Sequence, residues 1–166
     1  MAIFKSHQGI LTAINDFETG NEGTAGCFKL MSVQSPDGSL VNFVATPATY
    51  FVHHSMLAPR DRVIGFYDAS AAAPLIFPPQ FRALVMAQVM PAQNVKVDFF
   101  NRQLISRDGT LRLNPSPYTR VLLENGQAFT GALANRNLIV VYGAATMSIP
   151  ALTTPYEIVV MCGPGG

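Results

Sequence analysis

An all-β protein is predicted by three observations. Helical periodicity is nearly absent, short runs rich in Val, Ile, Phe and Tyr recur along the chain, and clusters of Gly, Pro, Asn and Asp separate them. The expected arrangement is two tandem Greek-key small barrels or half-barrels packed together, one in residues 1–90 and one in residues 91–166.

Taken in order, "GILTAINDF" (Gly9–Phe17) reads as a strand and "ETGNEGTAG" as the turn region after it. "CFKLMSVQ" (Cys27–Gln34), "SPDGS" and "LVNFVATP" form a hairpin, because Asp37-Gly38 supplies the positive φ that a tight turn needs. "ATYFVHH" reads as a further strand, and a polar turn from Pro59 to Arg62 feeds the strand Val63–Asp68. The loop "ASAAAPLIFPPQ" then leads to a closing strand, "FRALVMAQV". The second part repeats this order. "NVKVDFF" and "RQLIS" bracket a turn, "RDGTLRLN" carries Asp108-Gly109, "YTRVLL" follows, and Asn125-Gly126 marks another turn. Then come "NRNLIVVYG", the loop "AATMSIPALTTP", the strand "YEIVVMC" and a tail, "GPGG", expected to be loose.

The parallel between the two parts predicts an internal duplication. Tyr67 matches Tyr142 at 142 − 67 = 75 residues, and at that offset Val85-Met86 match Val160-Met161 and Arg82 matches Glu157. Pro47 and Thr49 meet Pro117 and Thr119 at 117 − 47 = 70, and the Asp-Gly pairs meet at 108 − 37 = 71. What carries the match is order: Asp-Gly turn, Pro-x-Thr, aromatic strand end, small-residue loop, closing strand.

Side chains alternate faces along a strand. Val63, Gly65 and Tyr67 therefore oppose Ile64, Phe66 and Asp68, and Leu138, Val140 and Tyr142 oppose Ile139 and Val141. Both faces are largely apolar, which predicts strands covered on both sides.

Composition narrows the function classes. Hydrophobic residues make up 49% and charged residues only 13%, about half the usual share, so part of the surface is expected to face a copy of the chain or another protein. The first 90 residues hold five Lys/Arg and six Asp/Glu, the rest six and four, so no basic or acidic arm exists to gather nucleic acid or anionic lipid. The N-terminal "MAIFKSHQGILTAINDFETG" lacks the pattern of a secretory signal, and no run of 18 apolar residues is present. Cys27 and Cys162 fit no disulfide framework or CxxC metal site and read as buried thiols. A cytoplasmic protein is the expectation.

Repeats of about 75 residues with five or so strands suit a barrel of the oligonucleotide/oligosaccharide-binding (OB) type. The combination "FVATPATYFV", "RDRVIGFYD", "PLIFPPQFRALVM" and "YGAATMSIPALTTPYEIVVMC" resembles a group of uncharacterised bacterial proteins with OB-like β-barrels. The resemblance spans nearly the whole chain and implies the fold; it implies no activity.

Candidate chemistry is sparse. His53 and His54 fall in an expected strand, so their rings would point to opposite faces and could not share a metal, and His7 has no partner at ligand spacing. There is no GxSxG elbow, and "ETGNEGTAG" has neither the register nor the helix of a phosphate loop. No catalytic residue, metal site or cofactor is assigned, and the chain is expected not to be an enzyme. Aromatic candidates for base stacking (Tyr50, Phe51, Phe66, Tyr67, Phe77 and Phe81) are accompanied by Arg60, Arg62 and Arg82 but also by Asp61 and Asp68. Single-stranded nucleic-acid binding is therefore the weakest alternative.

The loop "ASAAAPLIFPPQ" asks for more than a fold. Turns are usually polar, yet Leu75, Ile76 and Phe77 stand here between Pro74 and Pro78-Pro79, whose fixed φ lowers the entropy lost on docking. It either tucks across its own barrel as a lid, the commoner solution, or inserts into a neighbour. The main expectation is a non-enzymatic interaction or scaffold module, self-associating or docking a protein partner through such loops. The alternative is a small-molecule or saccharide binder whose barrel mouth is lined by Tyr67, Asp68 and Tyr142 with Arg62 at the rim.

Overall fold

The computed structural model describes residues 1–163 as an all-β chain with several sheets, divided into two compact units, Met1–Val89 and a second that begins at Met90. The expected loose tail lies, beyond Gly163, outside the described residues.

The first unit is organised by its longest strand, β1 (Phe4–Asp16). With β2 (Lys29–Gln34), β3 (Leu40–Ala45), β4 (Tyr50–Phe51), β5 (Arg62–Asp68), β6 (Gln80–Arg82) and β7 (Val85–Gln88) it forms one sheet in the order β4-β7-β5-β1-β2-β3-β6. The first half of β1, Phe4–Ile10, runs antiparallel to β5, and the second half, from Ile10, runs antiparallel to β2. A bulge between Leu11 and Ala13 bends the strand so that one element serves both partners. Gly9 lies just before the bend, and a Cβ there would sit 2.2 Å from the carbonyl oxygen of Gln34. β3 and β6 are parallel, as are β4 and β7. Two residues join β6 to β7, and their amides reach opposite sides of the sheet order. Ala83 donates to Val44 of β3 at 2.9 Å and Leu84 donates to Phe66 of β5 at 2.9 Å. Leu11, Met31, Val33, Phe43, Val63 and Met86 fill the core, into which the missing side chain of Gly65 admits the Phe43 ring.

The second unit contains β8 (Asn94–Phe100), β9 (Leu111–Leu113), β10 (Arg120–Leu123), β11 (Arg136–Tyr142), β12 (Ala151–Thr153) and β13 (Glu157–Val160). Its pairings run in the same sequence. β11 lies between β13 and β8 as β5 lies between β7 and β1; β10 is parallel to β13 as β4 is to β7; β9 is parallel to β12 as β3 is to β6. Bridges at Phe100–Ser106 and Ile105–Arg112 take the place of β2. Phe100, Leu111, Leu113, Leu138, Val140, Ile158 and Val160 form the core, and Ile139 and Val141 on the other face of β11 are buried as well.

Two kinds of turn recur with shared hydrogen bonds. In Ser35–Ser39 and Ser106–Thr110 the aspartate accepts from the preceding Ser hydroxyl at 2.6 Å in both, and from the amide two residues on at 2.9 and 3.1 Å, while the glycine has φ 89° and 75°. In Thr46–Thr49 and Ser116–Thr119 the threonine hydroxyl donates at 2.7 Å to the carbonyls of Ala83 and Pro155. It also accepts the amides of Thr46 and Ser116, at 2.9 and 3.1 Å.

Several expectations need correction. "FRALVMAQV" is two strands on different sides of the sheet order, because the chain must leave β3 and join β5 within two residues. "ATYFVHH" holds only the two-residue β4; Val52–His54 is a 3-10 turn, with His53 and His54 in the left-handed region at φ 61° and 51°. Neither cysteine is buried: Cys27 precedes β2 in the turn region and Cys162 follows β13, both exposed. The offset of 75 holds for β5 and β11 but not beyond the next loop, where Pro78 and Pro150, each after a cis peptide bond, stand 150 − 78 = 72 apart. Accordingly Arg82 has no counterpart in Glu157, which is buried and faces Arg120 of its own unit at 3.6 Å.

Candidate functional site: two exposed apolar loops

The loops that follow β5 and β11 carry the most unusual surface among the described residues. In the first, Leu75 is 103% and Phe77 91% exposed; in the second, Met147 is 102% and Ile149 91% exposed. Each pair occupies the same place, three residues and one residue before the proline that opens the approach to β6 or β12. These side chains do not fold back over the core. The lid reading of the loop is therefore wrong for Leu75 and Phe77, while Ile76 between them is about half exposed.

The bases of the loops are fixed. At the first, the Asp68 carboxylate accepts the amides of Ile3 and Ser70 at 3.0 and 2.9 Å and the Ser70 hydroxyl at 2.6 Å. Partial burial works to raise the Asp68 pKa, but these hydrogen bonds outweigh it and hold the carboxyl below its ordinary value. At the far end Pro79 accepts the amide of Asn42 at 2.9 Å. Between these anchors Pro74, Pro78 and Pro79 restrict φ. The second loop is tied within itself. Thr146 donates its amide to Leu152 at 3.0 Å and its hydroxyl accepts the amide of Leu152 at 2.8 Å, while Ser148 donates to Pro150 at 2.9 Å.

Within the first unit, Arg62 stands apart from Tyr67 and Asp68, the other residues there assigned to a barrel mouth. Arg62 and Asp68 are opposite ends of β5, paired with Ile10 and Phe4 of β1, and so roughly 20 Å apart at the usual strand rise. Tyr67 stacks on Phe81 with ring centroids 3.9 Å apart and an 8° interplanar angle, and with Phe43 it belongs to the edge of the core. Burial raises the Tyr67 hydroxyl pKa. Tyr142 packs against the second core, and burial, with the nearby Asp108 charge, raises its hydroxyl in the same way. Asp68 serves the loop base described above. Only Leu75, Ile76 and Phe77 among the assigned residues form a continuous exposed group.

Met147 and Ile149 were missed by the sequence reading. The signal was present in "TMSIP", two apolar residues at alternate positions before a proline, as in "LIFP", but the gapless offset of 75 misaligned them. No His/Cys/Asp/Glu group suited to a metal ion and no helix long and apolar enough to cross a membrane occur among the described residues. No family model, curated protein or solved structure matches the chain.

Proposed function

We propose that the chain is a non-enzymatic interaction module of the cytoplasm, made of a duplicated OB-like β unit, that binds protein surfaces through the loops carrying Leu75 and Phe77 and Met147 and Ile149. The observation that carries this reading is the recurrence, in both units, of two almost fully solvated apolar side chains ahead of a proline-led strand. An isolated exposed apolar residue is ordinary, but apolar pairs set out at like positions on anchored loops mark a contact surface. The OB-like assignment draws on the strand pairing. A three-strand meander is followed by a strand antiparallel to β1, and the last segment is parallel to β3 at one end and antiparallel to β5 at the other. The likeness to uncharacterised bacterial OB-like proteins belongs to the same proposal.

A photo-crosslinking amino acid at position 77 or 149 tests the reading in living cells. Discrete protein adducts are expected at both positions and not at exposed polar positions such as Glu18. Irradiation that leaves the chain unmodified at both loops would remove the basis for an interaction role.

A further inference from the structure

We infer that the occupant of the first loop is a second copy of the same chain, docked loop against loop about a twofold axis; this rests on the interaction reading above and names its partner. The first argument is charge. From Ala69 to Phe81 there is no Asp, Glu, Lys or Arg. In a twofold contact each residue near the axis faces its own counterpart, so any charge there meets a like charge. A contact with an unrelated partner has no such restriction and generally uses complementary charge to steer and register the encounter. A charge-free, apolar tip flanked by Asp68 and Arg82 suits self-facing, because no like charges meet at the axis.

The second argument is area. Leu75 and Phe77, almost fully exposed, and the half-exposed Ile76 offer on the order of 450 Å² of apolar surface. Ile3, partly exposed, extends it at the loop base, where its carbonyl accepts the amide of Ala69 at 2.7 Å. Two copies would bury about 1,000 Å² in total, at the lower bound for a specific interface and typical of weak, reversible pairs. The prolines on either side limit the conformational freedom lost on docking, which helps a contact of this size to form. The predicted product is a weak, reversible dimer.

Sedimentation equilibrium of the full chain from micromolar to several hundred micromolar should show a monomer–dimer equilibrium. Phe77→Asp should weaken it by at least about tenfold, while circular dichroism and melting temperature stay unchanged, because the side chain is exposed. In a Cys27→Ser, Cys162→Ser background, Leu75→Cys should give a disulfide-linked dimer on mild oxidation. A wild-type dimer that withstands Phe77→Asp overturns the proposal, as does a Leu75→Cys chain that stays monomeric under oxidation. A chain that remains monomeric at all concentrations also overturns it. In that case a heterologous adduct from the cross-linker at 77 would preserve the interaction reading, partitioning onto zwitterionic phospholipid vesicles would replace it with a membrane contact, and absence of both would remove it.

Discussion

Gly9 and Asp98 occupy the same slot in their units and solve one crossing in opposite ways. Gly9 of β1 pairs with Val63 of β5, and Asp98 of β8 pairs with Leu138 of β11, where β5 and β11 stand 138 − 63 = 75 residues apart. In the first unit the backbone at Gln34 and Ser35, entering the Asp-Gly turn, passes directly over Gly9. In the second unit a side chain helps tether the corresponding turn: Asp98 accepts the amide of Asp108 at 3.3 Å and that of its neighbour Phe99 at 2.8 Å, while the Arg107 amide donates to the Phe99 carbonyl at 2.8 Å. A bare backbone contact tolerates no added atom, whereas a carboxylate tether is replaceable at the cost of its hydrogen bonds. Equivalent positions can therefore differ completely in residue type while fixing the same turn to the same strand.

The largest effect that separates the two solutions is expected from Gly9→Ala. The new Cβ would lie 2.2 Å from a backbone oxygen, 2.5 Å from the carbonyl carbon and 2.8 Å from the Ser35 nitrogen, and backbone cannot rotate aside. A loss of about 3 kcal/mol or more is predicted, measured by urea denaturation, with amide exchange reporting the damage in residues 1–89. A loss under about 1 kcal/mol would mean that the turn does not rest on Gly9.

Asp98→Ala should cost less, about 2 kcal/mol, because it leaves one short and one long amide contact without an acceptor in a buried site. Its charge acts against this contribution. Burial is the main influence on Asp98 and raises its pKa above the ordinary carboxylate value; the two amides lower it and the neighbouring Asp108 charge raises it further. Asp98→Asn, which removes the buried charge and keeps one acceptor, is predicted to be milder than Asp98→Ala.

How much of this was legible in the sequence depends on whether the signal was local. Asp37-Gly38 and Asp108-Gly109 were readable as turns because a positive φ and a carboxylate cap are demands of five consecutive residues. Pro-x-Thr was readable as a shared feature for the same reason, and both threonines do bind a carbonyl across the unit. The closing strands were misaligned because Val, Ile and Met match at almost any register, and only pairing partners show that β13 sits three residues earlier than 75 predicts. The histidine turn was hidden because Tyr50-Phe51-Val52 carries strand composition up to the residue where φ turns positive. Loop exposure was hidden too: "PLIFPP" states that a segment is apolar and stiff, and only packing distinguishes a lid from a tip.

The paired turns sharpen the comparison through pH. Burial works to raise Asp108, but the Lys96 ammonium and the hydroxyls of Ser106 and Thr110 overcome it and hold its carboxyl far below the ordinary range. A depressed folded-state value means that Asp108 stabilises the fold above its unfolded pKa, near pH 4, and that this is lost as pH falls toward the folded value. Asp98 has the opposite sign: its raised value costs stability where it is ionised, and acid relieves that cost as pH falls through the folded value. Asp98→Asn should therefore make the acid loss steeper, and Asp108→Asn should make it shallower while costing about 1 kcal/mol at pH 7, since the nearly half-exposed Asp108 side chain is screened by solvent. Asp37 is lowered by the Ser35 and Ser39 hydroxyls and the Ser39 amide but is fully solvated, so Asp37→Asn should shift the melting temperature less than Asp108→Asn. Equal melting shifts from the two substitutions would show that solvent exposure does not distinguish the turns.

The smallest expected effect is a matched one. Thr49 and Thr119 each donate at 2.7 Å to a carbonyl and accept one amide, and both are part-buried, so the two sites differ only in what surrounds them. Thr49→Val and Thr119→Val remove the hydroxyl and keep the volume. Each should lose about 1 kcal/mol, and the double variant should lose the sum, because the two threonines share no hydrogen-bond partner and belong to different compact units. Equal costs would identify the Pro-x-Thr loop as a self-contained device that works alike beside an Ala83 or a Pro155 carbonyl. A Thr49 cost several times that of Thr119 would instead trace the dependence to the next residue. Ala83 donates its own amide to Val44 and so couples the Thr49 bond to β3, a link that Pro155, lacking an N–H, cannot make.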